Sequence, residues 1–189
     1  MLLRTNTPPE WVECVLNNFD AFLIDHASCE RKASAVGMSF VVRYPDRTAL
    51  LEPMINFARE ELEHFHQVCK LIFRRGLTLA PDEPDSYVNL LMKQVRFGRD
   101  ERFLDRLLVS GIIEARGTEK LELVAQALTD SELKAFYHRL AKAEDHHKRL
   151  FVDLALQFFT EAEVFARLDF WLDQEAKAFE ASPIRPAVH

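Results

Sequence analysis

The pattern Glu-x-x-His occurs three times in this chain, at Glu61/His64, Glu63/His66 and Glu144/His147. Residues three apart share one face of a helix, so each pair can hold a carboxylate and an imidazole against one metal ion. Spacing does not choose among them, but the helical wheel does. With successive residues about 100° apart, Leu50, Met54, Phe57, Ala58, Phe65, Val68 and Ile72 define an apolar face that contains Glu61 and borders His64. Glu63 and His66 point outward, so that register is rejected. Glu144 and His147 fall near the centre of a stripe made by Leu133, Phe136, Leu140, Phe151, Leu154 and Phe158, with His146 on its flank. Two more carboxylates share apolar sectors: Glu30 with Phe19, Leu23, Ala27, Ser34, Gly37 and Val41, and Glu114 with Phe103, Leu107, Ser110, Gly111, Leu121 and Ala125. Glu119 and Glu122 lie outside the second sector. An ionised carboxylate on a core-facing stripe is costly unless it is paired or bound to a cation, so each of these residues requires a partner.

The register is nearly duplicated: 31 residues separate Glu30 from Glu61, and 30 separate Glu114 from Glu144. One inward Glu beside a His is ordinarily a satisfied polar pair. Six such residues in repeated register, Glu30, Glu61, His64, Glu114, Glu144 and His147, form the ligand pattern of ferritin-like di-iron or di-manganese carboxylate proteins. Oxygen-rich ligation with two imidazoles suits two iron ions, and the same donors admit manganese. Glu61 or Glu144 is expected to bridge them. The small residues Ser34, Gly37, Ser110, Gly111 and Gly117 either pack helices together or leave room for dioxygen and substrate.

The elements that must carry these residues are helices. Only 5 glycines, 48% hydrophobic and 29% charged residues exclude disordered and collagen-like chains and argue against a turn-rich β-barrel. Pro8 and Pro9 open a short helix with Trp11, Val12 and Val15. A longer helix, capped by Asn17 or Asn18, runs from about Phe19 to Val42; Asp46 caps the next, which reaches Arg75 with Gly76 at its end. Pro53 must kink that helix or mark its true start. Residues 77–86 form the one long connection and divide the chain into halves. A helical segment from about Tyr87, with a break near Gly98, leads into a helix ending near Leu128. Thr129/Glu132 and Thr160/Glu163 have capping-box spacing and open helices to about Phe159 and Ala181. The tail after about Ser182 is expected to be loose. The expected fold class is all-α: one ferritin-like di-iron domain over residues 1–189, a four-helix bundle with additional N-terminal, middle and C-terminal helices.

The stretches Asp25–Ala33, Tyr44–Arg47, Ala58–Phe65, Gly111–Arg116 and Ala143–His147 resemble, in order, the MiaE family of tRNA hydroxylases. The likeness spans about residues 10 to 160. One departure is Gly117-Thr118-Glu119, where the family pattern carries a segment resembling Ser-Cys-Glu. The resemblance implies a dioxygen-dependent monooxygenase that hydroxylates an allylic methyl carbon of the isopentenyl group of 2-methylthio-isopentenyl-adenosine in tRNA. Carried over by position, its metal ligands are the same six residues. No G-x-G-x-x-G fingerprint is present, so electrons are expected from an external donor, a reductase or ferredoxin.

A tRNA substrate should leave an electrostatic trace. Lys plus Arg against Asp plus Glu is 24 against 30, a net charge of −6, so any nucleic-acid contact must come from a local patch. Lys93, Arg96, Arg99, Arg102 and Arg106 recur at helical spacing and are the RNA-binding candidates; the plainer reading is a solvated face salt-bridged to Asp100, Glu101 and Asp105. Phe97 and Phe103, interleaved there, are expected in the core. Two rival functions remain open in the sequence: a ferroxidase or other di-iron oxidase that ignores tRNA, and a metal-free helical interaction protein. Cys14, Cys29 and Cys69 form no C-x-x-C pattern, and no signal peptide or membrane span is evident, which points to a reducing, cytoplasmic setting without a membrane. The oligomeric state is not written in the pattern.

Overall fold

The computed structural model describes residues 2–189. Among them are eight helices and no strand: α1 (Pro9–Asn17), α2 (Phe19–Arg43), α3 (Thr48–Arg74), α4 (Ser86–Met92), α5 (Arg99–Ala127), α6 (Ser131–Glu144), α7 (His147–Leu156) and α8 (Glu161–Ala181). They fall into two compact units. One holds residues 14–83 with 185–188; the other holds 84–184 with the N-terminal stretch through Glu13 and with His189.

In the first unit α2 packs along α3. Gly37 makes the close approach possible: a Cβ there would lie 2.9 Å from Phe57 Cδ1 and 3.1 Å from the Met54 carbonyl oxygen. Ser34 donates its hydroxyl to the Ala58 carbonyl at 2.7 Å. These two small residues therefore serve helix packing. Asp46 does not cap α3 as expected. Arg47 N–H closes a turn on the Tyr44 carbonyl at 3.0 Å, which absorbs Asp46 and leaves Arg47 in the cap position. Pro53 lies inside α3 rather than at its start. Lying within the first two turns, it forfeits only the ladder bond to the Ala49 carbonyl. The other end behaves as expected. Gly76 adopts φ 71°, its N–H bonds to Phe73 and Leu77 N–H bonds to Ile72, the paired bonds of a Schellman stop that a residue with a Cβ resists.

The connection that follows is tied down. Asp82 accepts from Ser28 at 2.5 Å and from Arg31, and these partners hold its carboxyl down at about 2. The C-terminal tail is also fixed, contrary to expectation. Ala187 and Val188 are buried, and Val188 N–H donates to Asp25 at 2.7 Å.

In the second unit α5 packs against α6, α7 and α8, and α4 packs on α8. Asp85 caps α4 by accepting from Val88 N–H at 2.9 Å. Residues 93–98 separate α4 from α5, so the break near Gly98 is real. Phe103 is fully buried, but Phe97 is 91% exposed, which corrects the expectation that both belong to the core. Phe97 stands just before the α5 cap, outside the helical periodicity that turns Phe103 inward. The α6 cap is Asp130, whose carboxylate accepts from Leu133 N–H at 2.9 Å; the Thr129/Glu132 box is not used because the helix starts one residue later. Thr160 and Glu163 do form their capping box. The expected single helix to Phe159 is divided into α6 and α7. Asp145 and His146 keep right-handed helical dihedrals, but the first bonds of α7 tighten to include Arg149 N–H to the His146 carbonyl. Glu144 and His147 thus flank a joint and still share a face.

Two buried ionic knots fix this unit. Asp105, with no exposed surface, accepts from Arg96, Arg167 and Trp171. Burial would raise its carboxyl, but the bonds from Arg167 and Arg96 outweigh that and leave it at about 2. Arg116, equally buried, binds Glu175 at 2.8 Å, Thr7 at 3.2 Å, Glu119 at 2.5 Å and the Thr5 carbonyl at 2.8 Å, with its guanidinium 3.9 Å from the centre of the Phe179 ring. It fastens the N-terminal stretch to α5 and α8. No described helix is long and apolar enough to cross a membrane.

Candidate metal-binding groups

Within the first unit, α2 contributes Glu30 and α3 contributes Glu61 and His64 from their buried faces. Each of the three offers one ligand atom, and these atoms lie within 4.8 Å of one another. His64 Nδ1 is 3.9 Å from Glu30 Oε2 and 3.9 Å from Glu61 Oε2. That is beyond hydrogen-bond reach. It is also the separation expected of donors about 2.1 Å from one shared ion, roughly 3 to 4 Å. Glu61 is 1% exposed, so its charge lies where an opposite charge is needed.

Within the second unit, α5 contributes Glu114, α6 ends on Glu144 and α7 begins on His147. Their ligand atoms again lie within 4.8 Å of one another. His147 Nδ1 and Glu144 Oε2 are 2.6 Å apart and both side chains are buried, while Glu114 is half-buried. The joint between α6 and α7 falls between these two residues, so the end of one helix and the start of the next aim them together.

Each unit therefore presents the same set, two carboxylates and one imidazole. Hard oxygen donors with one nitrogen suit a divalent transition-metal ion of the iron or manganese kind. The residues set aside are engaged elsewhere or lie in solvent. Glu63 and His66 form an exposed pair 3.7 Å apart. Glu119 binds Arg116 and Thr7, and Glu122 lies 3.3 Å from His138. A surface groove of about 920 Å³ on the outer side of α3, lined by Arg59, Glu60, Phe65, His66, Phe73 and Leu79 among others, holds the rejected His and not His64.

One buried residue escaped the sequence reading. His26 lies one turn before Glu30 on α2, 1% exposed, with Nε2 2.6 Å from Glu30 Oε1. The i, i+4 spacing of His26 and Glu30 could have indicated it. Of the basic candidates, Lys93 and Arg99 are exposed, Arg102 and Arg106 are half-buried, and Arg96 is bound to Asp105 at 2.9 Å.

The chain matches the family described as tRNA-(MS2IO6A)-hydroxylase (MiaE) across residues 1–189. It belongs to the MiaE family. A tRNA 2-(methylsulfanyl)-N(6)-isopentenyladenosine(37) hydroxylase of Pseudomonas putida (strain KT2440) is 37% identical over 158 residues, covering 84% of this chain and 77% of that protein. The protein with the same description from Salmonella typhimurium (strain LT2) is 25% identical over 223 residues, covering 92% and 82%. Among solved structures, protein 43 with aldehyde deformylating oxygenase activity from Synechococcus superposes with a TM-score of 0.93 at 38% identity, over 98% of this chain and 92% of that one. This MiaE-family chain thus has an all-α, ferritin-like fold.

Proposed function

We propose that Glu30, Glu61, His64, Glu114, Glu144 and His147 together hold two iron ions, and that the protein hydroxylates the isopentenyl group of 2-methylthio-isopentenyl-adenosine in tRNA. The observation that carries this reading is the repeated set of two carboxylates and one imidazole, one set per unit, in a chain that matches the hydroxylase family over its whole length. When bound, the iron pair supplies the activation of dioxygen. One oxygen atom enters the C–H bond and the other leaves as water, which requires two electrons and two protons from outside the chain. A separate reductase or ferredoxin provides the electrons. The chain's own contribution is to fix donors on rigid, buried helix faces and to keep bulk water from them.

The basic residues around the start of α5 serve the substrate side. Of Lys93, Arg96, Arg99, Arg102 and Arg106, the exposed Lys93 and Arg99 are best placed to meet phosphates of the RNA backbone. Arg96 is held back by Asp105. A cytoplasmic setting follows from the tRNA substrate. A second reading, in which an aldehyde takes the place of tRNA, rests only on the activity named for the solved structure, and the family match and both curated relatives do not favour it.

The deciding assay supplies iron-loaded, reduced protein with isotopically labelled dioxygen and tRNA from a strain lacking the hydroxylase. The expected product is a nucleoside heavier by one labelled oxygen atom. Unaltered nucleoside together with consumption of an aldehyde would favour the second reading.

A further inference from the structure

His26 is buried against Glu30, and the contact has a direction. A carboxylate only accepts hydrogen bonds, so His26 Nε2 carries the proton it donates to Glu30 Oε1 at 2.6 Å. The imidazole is stacked on Phe22, with ring centres 5.8 Å apart and planes 25° from parallel, so it is held in orientation. The second carboxylate oxygen, Oε2, is the one that faces His64 Nδ1 at 3.9 Å. One oxygen is therefore committed to α2 itself and the other to the ligand group. The second unit is built differently. Four residues before Glu114 stands Ser110, whose side chain has no imidazole.

Building on the two-ion reading above, we propose that His26 is a positioning residue: it restricts Glu30 to one ligating oxygen, Oε2, and so makes the two ions inequivalent. A carboxylate free to use both oxygens can close around an ion. With one oxygen tied to a buried imidazole, Glu30 would offer only Oε2 to an ion held with Glu61 and His64. Partners of this kind commonly change metal affinity by about tenfold to a hundredfold, which makes the effect measurable without turnover.

The test titrates the metal-free full chain with Co(II), following the visible absorbance of the bound ion and the heat of binding. The wild-type chain is expected to take up two ions in two steps of unequal affinity. His26→Leu, which keeps an apolar body but donates nothing, is expected to shift the affinity of one step by about tenfold or more and to alter its absorbance, leaving the other step in place. His26→Gln, whose amide can donate from nearly the same point, restores that step. Circular dichroism confirms that each variant is folded; should His26→Leu fail to fold, His26→Asn, too short to reach Glu30 in the same way, is judged by the same criterion. Unchanged steps in the folded variant, or two identical steps in the wild type, overturn the positioning role and leave the metal centre standing. A wild-type chain that binds no Co(II) removes the metal centre and this proposal with it.

Discussion

Single side chains divide into those buried beside other possible ligands and those that only share their spacing. Glu61/His64 and Glu63/His66 have identical spacing, yet the first pair is buried and the second is in solvent. Replacing Glu61 or Glu144 by Ala is expected to reduce iron affinity by more than about tenfold and to abolish hydroxylation, whereas Glu63→Ala leaves both intact. Elemental analysis after anaerobic iron loading checks the first effect and nucleoside analysis the second. The inward face of each helix is legible because apolar residues around each Glu fix its direction at about 100° per residue. His26 is less so: its i, i+4 spacing from Glu30 hints at it, but it stands outside the Glu-x-x-His register, and the 2.6 Å contact is a product of the fold. Phe97 misleads for the opposite reason: an apolar residue beside a helix start is assigned to a face that the helix does not yet have.

At the scale of the element, the sequence predicts where helices lie better than what starts them. The Schellman stop at Gly76 and the capping box at Thr160 follow local rules that the neighbouring fold does not disturb. Asp46 and Thr129 satisfy the same rules in sequence, but a turn at Tyr44 and a later start at Ser131 displace them. Asp130→Ala should therefore cost about 1 kcal/mol of stability, and Thr129→Ala much less, when both are followed by urea unfolding. The division between α6 and α7 has no signal in the residue pattern because Asp145 and His146 retain helical dihedrals, and only the hydrogen bonding changes. The α4–α5 connection carries the RNA prediction. Reversing Lys93 and Arg99 to Glu should weaken tRNA binding and flatten its salt dependence by about one released counterion for each phosphate no longer gripped, with no change in unfolding temperature. Binding isotherms at several salt concentrations measure this, and unchanged slopes would remove those residues from the interface.

For the molecule as a whole, a net charge of −6 sets the expectation that nucleic-acid binding is local, and the ionic knots show where charge is used structurally. Neither knot is visible in the sequence as such, because the partners come from distant positions: Asp105 meets Arg167 and Arg116 meets Glu175 only after the helices pack. Asp105 has a consequence for acid stability. Its folded value of about 2 lies below the ordinary 3.8, so its contribution is complete above about pH 4 and is lost as pH falls toward 2. The amount is about 2 kcal/mol. Urea unfolding of metal-free protein across that range should show this loss, and Asp105→Asn, already weaker at neutral pH, should lack it.

Six side chains in two matching sets are proposed to hold a pair of iron ions. Anaerobic titration of the metal-free chain with Fe(II), read by bound iron per chain and by Mössbauer spectroscopy, tests this most directly. Saturation at two ions per chain is expected, with one of the two lost or bound at least about tenfold more weakly in Glu144→Ala. Saturation at one ion or none, or uptake of both ions by Glu144→Ala with unchanged affinity, would refute it.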